Sequence, residues 1–102
     1  MEKNNRNSIR MIFTGSIRFS RFEESEVFTG ECNDLSQYGV KFVTDCPLKS
    51  EEVITGVITT GNTSFKPLSV IMVVLRAEPY DETKYLISGE FISIDGRNLT
   101  VK

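Results

Sequence analysis

The sequence predicts a small all-β domain, an antiparallel barrel or sandwich of about six or seven strands with little or no helix. Three observations predict it. Runs of strand length recur along the 102 residues, either rich in β-branched side chains or alternating apolar with polar. Turn-forming residues separate the runs. No segment keeps a 3.6-residue apolar period over three turns.

Taken in order, Ser16–Phe22 alternates, with Ile17 and Phe19 on one side and Arg18 and Ser20 on the other. Val27–Asn33 is the second strand. Val40–Thr44 is the third, with Val40 and Phe42 facing one way and Lys41 the other. Val53–Thr60, β-branched at most positions, is the fourth, and Gly61-Asn62 breaks the chain after it. Leu68–Arg76 reads as a strand buried on both faces or passing through a barrel wall. Pro79 and Asp81-Glu82-Thr83-Lys84 then divide it from Tyr85–Ile94, its hairpin partner. Asp95-Gly96 signals a type I′ turn, which folds Asn98–Val101 back as a short last strand. Cys46–Glu52 is compatible with one helical turn.

The length allows one domain with one compact core. Its longest apolar run, Val70–Leu75, has strand length, far short of the roughly 20 residues of a membrane-spanning helix. The polar start Met1-Glu2-Lys3-Asn4-Asn5 does not read as a secretory signal, so a cytoplasmic protein without membrane insertion is expected. Cys32 and Cys46 are the only cysteines and histidine is absent, which excludes a four-ligand structural zinc site within one chain. Both read as free, buried, small apolar residues. The net charge of −2 hides an asymmetry: residues 1–21 hold five basic side chains and one acidic, and the acidic excess lies in the rest. A cationic head on an acidic body suggests a local anion site, not the broad basic surface of a nucleic-acid polymer binder.

Two short patterns carry chemistry. The first is R-x-x-x-R, as Arg6-Asn7-Ser8-Ile9-Arg10. Its spacing puts both side chains on one side of a strand or a helix; in an extended chain they stand roughly 13 Å apart. A guanidinium can hold a phosphate bidentately, take O6 and N7 of guanine, or stack on a base. The second is D-x-S-x-x-G, as Asp34-Leu35-Ser36-Gln37-Tyr38-Gly39. Asp and Ser can cap a bend through its backbone N–H groups, or turn outward, the carboxylate accepting from guanine N–H groups. Gly39 can supply a positive φ or admit a close neighbour. Leu35 and Val40 should point into the core and stiffen the loop. Either pattern alone is weak.

In this order, within a small β-rich chain, the two patterns resemble the signature of the PilZ family, bacterial domains that bind the second messenger cyclic di-GMP. The resemblance covers essentially the whole chain. It implies a Greek-key β-barrel over residues 16–102, preceded by a flexible segment, 1–15, that carries the arginines. It implies that Arg6 and Arg10 bind phosphate and guanine, while Asp34, Ser36 and Gly39 surround a guanine. The expected function is that of a cyclic di-GMP receptor or adapter that changes shape or partner on binding, with a downstream effector protein and neither cofactor nor enzymatic activity. A PilZ-like adapter that binds no ligand is the alternative, and the intact motifs argue against it. An unrelated oligonucleotide-binding barrel is more distant, and an enzyme more distant still: without histidine there is no Ser-His-Asp triad, and no Gly-rich phosphate loop is present.

The chain departs from the family pattern in two places. Many members carry a helix after the last strand, whereas only eight residues follow Ile94 here, so that barrel end is expected to be open or paired with another molecule. Gln37-Tyr38 stands where small residues are frequent; Tyr38 reads as a buried or rim tyrosine, with base stacking as the functional alternative.

Overall fold

The computed structural model describes residues 11–60 and 66–98, all in strands and connections. The strands are β1 (Met11–Arg21), β2 (Phe28–Leu35), β3 (Gly39–Thr44), β4 (Val53–Thr60), β5 (Leu68–Pro79), β6 (Tyr85–Ile94) and β7 (Arg97–Asn98). All pairings are antiparallel. The order is β3-β2-β1-β4-β5-β6-β7, and a further β3–β6 pairing closes six strands into a barrel, with β7 added to the end of β6. Three hairpin-linked strands and a fourth returning beside the first make the order β4-β1-β2-β3, a Greek key.

Alternation builds the core. Ile17 and Phe19 of β1, Cys32 of β2, Val40 and Phe42 of β3, Ile54 and Ile58 of β4, Val70, Met72 and Val74 of β5, and Ile87 and Phe91 of β6 are buried together. The Phe19 ring packs against Phe42 and Phe28, with centroids 5.3 and 5.7 Å apart. Cys32 and Cys46 are buried and free, as the sequence indicates.

The strand pattern differs from the sequence reading in instructive ways. β1 begins at Met11, five residues before the alternating run, and β5 continues to Pro79. β5 is not buried on both faces: Val70, Met72 and Val74 point inward, Ile71 and Val73 are half-buried outside, and Leu75 is exposed. Cys46–Glu52 is no helix. It is an irregular link ending in a tight turn, in which Glu52 N–H donates to the Lys49 carbonyl and Glu51 has a φ of 76°. The last hairpin turns as predicted, with φ of 51° at Asp95 and 83° at Gly96, the two positive values of a type I′ turn. Its return strand is Arg97–Asn98, pairing with Ser93 and Ile94; residues 99–102 lie outside the described residues.

Candidate functional site

The site is assembled on the outer surface, where β2, β3, β6 and β5 lie side by side. The decisive local feature is a bulge in β2. Cys32 pairs with Phe42 and Asp34 with Lys41, so Asn33 is an extra residue. Strict alternation from the buried Cys32 would put Asp34 inside the barrel. The extra residue shifts the period by one, so Asp34 lies opposite the outward Lys41, and Leu35 and Val40 take the inward positions. A bulge thus brings a carboxylate to the surface at the edge of the core.

The row continues around the barrel. Asp34 pairs with Lys41, Lys41 with Ser88, and Ser88 with Arg76. Lys41 is exposed and lines the same cavity as Asp34 and Ser88. The Arg76 guanidinium is drawn aside by Glu78, at 3.2 Å on the surface.

The β2–β3 turn closes one side. Ser36 N–H donates to the Gly39 carbonyl at 2.9 Å. Ser36 Oγ accepts from the N–H groups of Tyr38 and Gly39, at 3.2 and 3.3 Å. The self-capping of a D-x-S-x-x-G bend is therefore realised at Ser36. A hydroxyl has two acceptor sites and one proton, so the proton remains for a donation outward. The turn is also fastened to β6, because Phe91 N–H donates to the Tyr38 carbonyl at 2.8 Å.

Gly39 serves close approach, not a positive φ. Among the described glycines only Gly96 has φ above zero. A Cβ at Gly39 would collide with the Gly89 carbonyl oxygen and come within 3.1 Å of its carbon. A Cβ at Gly89 would in turn meet Met72 Sδ in the core, and Met72 would have to shift. Two glycines on neighbouring strands let the turn seat on β6.

A cavity of about 330 Å³ is lined by Asp34, Ser36, Gly39 and Lys41, together with Tyr38, Leu75 and residues 88–90. The structure therefore brings together the three site residues predicted from the second motif. Arg6 and Arg10 lie outside the described residues. Sequence reasoning assigned no role to Lys41, Leu75, Ser88, Gly89 or Glu90. An isolated glycine inside a strand run was the available signal at Gly89, because it marks close backbone approach. Tyr38, read as buried or at a rim, is at the exposed rim.

The PilZ domain family matches residues 4–101. The chain belongs to the PilZ family. Within solved structures this PilZ domain is similar to the inhibitor of motility of Bacillus subtilis, with a TM-score of 0.70 and 16% identity over 90% of this chain and 44% of that one. It is similar to the PilZ domain of YcgR from Escherichia coli with c-di-GMP, with a TM-score of 0.66 and 12% identity over 88% of this chain and 79% of that one. It is also similar to the K. pneumonia MrkH–c-di-GMP complex, with a TM-score of 0.67 and 18% identity over 87% of this chain and 45% of that one. The PilZ chain spans less than half of the first and third of these proteins, and at such identities the likeness is one of fold. No curated protein sequence matches it. Among the described residues, no helix is long and apolar enough to cross a membrane.

Proposed function

We propose that this PilZ domain is a cyclic di-GMP receptor that acts as an adapter, with Arg6, Arg10, Asp34, Ser36 and Gly39 as its binding residues. One observation carries the reading. The barrel register gathers Asp34, Ser36 and Gly39 into one cavity and sets Met11, the residue joined to Arg10, opposite Leu35 of the same motif. The first described residue after Arg10 thus starts β1 beside the second motif.

The chemistry divides between them. Arg6 and Arg10 supply forked donors for phosphate and a guanine edge, or a flat cation for stacking. Asp34 accepts from guanine N–H groups, Ser36 donates its remaining proton, and Gly39 keeps the turn seated on β6. Lys41 adds a positive charge to the cavity wall. A micromolar complex requires about −8 kcal/mol, within reach of two arginines, a carboxylate and base stacking. Binding draws the segment before Met11 onto the barrel, and this ordering couples ligand to a downstream effector protein in the bacterial cytoplasm. No reaction is part of this role.

Calorimetric titration with cyclic di-GMP, beside GTP and cyclic di-AMP, tests the reading. Heat with cyclic di-GMP alone is expected, with slower amide exchange at 7–11 in the complex. Absence of heat and of thermal stabilisation at millimolar cyclic di-GMP would sink it.

A further inference from the structure

Two large apolar side chains border the cavity, and neither is one of the fixed positions of the two patterns. Tyr38 is 62% exposed and Leu75 is 56% exposed. Leaving such groups in water forgoes the free energy of burying them. Both are held where they are. Tyr38 sits in the turn clamped by Ser36 Oγ on one side and by Phe91 N–H on the other. Leu75 follows the inward Val74, so alternation turns it outward, and it is the extra residue of a second bulge: Val74 pairs with Gly89 and Arg76 with Ser88.

These side chains come from opposite flanks of β6. Gly39, beside Tyr38, pairs with Glu90 on one edge of that strand, and Leu75 borders it on the other. Two strand spacings separate the flanks, about 10 Å. Between them β6 contributes Ser88 and Glu90 to the same cavity. The result is a polar floor between two apolar walls.

We propose that Tyr38 and Leu75 form a slot for one guanine of the cyclic dinucleotide, with Tyr38 against one face of the base and Leu75 against the other. This rests on the cyclic di-GMP reading above and adds to it the residues that hold one base by its faces. The base stands edge-down over β6. Guanine presents adjacent N1–H and N2–H donors on its pairing edge, and the Glu90 carboxylate accepts from both. Adenine presents no such pair, so Glu90 discriminates between the two purines at this base, leaving the ligand's other guanine to Asp34. Ser88 meets the remaining acceptor or donor at that edge.

The test uses the full chain, with cyclic di-GMP and cyclic di-AMP as probes, read by calorimetry and by methyl NMR. Leu75 methyl resonances should move upfield on addition of cyclic di-GMP, because a ring face lies over them. Tyr38→Phe should bind like the parent. Tyr38→Ala and Leu75→Ser should each lose about tenfold, the scale of one base–side-chain stack. Both side chains are exposed, so the variants should keep the parent's circular dichroism. Glu90→Gln should lose about tenfold in preference for cyclic di-GMP over cyclic di-AMP. If the parent binds cyclic di-GMP, but Tyr38→Ala and Leu75→Ser bind within twofold of it and the Leu75 methyls stay in place, the slot is overturned and the receptor reading stands. A parent that binds no cyclic di-GMP would overturn both.

Discussion

Among the described residues, two tight hairpin turns end in glycine, and they are built on opposite principles. At Asp95-Gly96 the backbone itself is unusual: both residues have positive φ, and nothing lies within 4 Å of where a Gly96 Cβ would be. Asp95 ties the turn to β5, its N–H donating to the Ser69 carbonyl and its Oδ1 accepting from Ser69 N–H. At Ser36–Gly39 a side chain caps the bend, and the glycine is required by the crowding of Gly89. The first turn needs glycine for its torsion angles, the second for its contacts. Both turns are hydrogen-bonded to another strand, but only the second is crowded against one, and only the second borders the cavity. A turn defined by its contacts can respond when a ligand alters those contacts.

The sharpest way to break this comparison is to add a β-carbon at each glycine. Gly39→Val should cost about 3 kcal/mol or more, because backbone atoms of β6 would have to move. Gly96→Ala should cost about 1–2 kcal/mol, the strain of a left-handed residue with no collision. Urea denaturation of both variants checks this, and equal losses would erase the distinction. Next comes the ligand side. Arg10→Lys keeps charge but removes the planar fork, so its affinity for cyclic di-GMP should fall by roughly 1–3 kcal/mol, approaching Arg10→Ala. Asp34→Ala should behave similarly and leave the barrel folded, whereas Asp95→Ala should leave affinity unchanged. Calorimetry distinguishes these outcomes. A smaller effect is expected for Ser36→Ala, about 1 kcal/mol of stability from two N–H groups losing their acceptor, together with weaker binding.

The smallest effect at neutral pH belongs to the core between the turns. Burial pushes the Cys32 thiol up to about 12, from an ordinary value of 9.0. The native state then holds its proton more tightly than the unfolded state, so this group leaves stability unchanged at pH 7. It withdraws stability as pH rises from about 9 toward 12. The fall in thermal midpoint between pH 7 and pH 10 should be smaller in Cys32→Ala than in the parent.

The two turns also show how far the residues themselves disclose the structure. Asp95-Gly96 was legible because the dipeptide encodes its torsion angles. Strand existence was legible for the same kind of reason, since burial of alternate residues leaves its period in the sequence: Val53–Thr60 and Tyr85–Ile94 are strands over those bounds. The bulges at Asn33 and Leu75 were not legible. A bulge inserts one residue against a partner strand, and which residue is extra depends on the partner's register, which lies elsewhere in the chain. That is why Asp34 and Ser36 could be named from their motif while the face of Asp34 could not be read, and why Leu75 passed as one more apolar residue of a buried run. Gly39 was singled out with two physical uses open, and only its neighbour across the sheet decides between them.

The β3–β6 pairing has a kinetic consequence. It joins the strands whose partners, Gly39 with Glu90, are the furthest apart along the chain of any pair in the barrel. It is also the pairing that closes the sheet on itself, so it is expected late in folding and is the natural place for the barrel to open first. The cavity is lined from both sides of this seam, by Gly39–Lys41 and by residues 88–90. A ligand seated there would bridge the last contacts made. Its occupancy would act chiefly on the rate at which the closed barrel comes apart, with little influence on the earlier steps that build the strands.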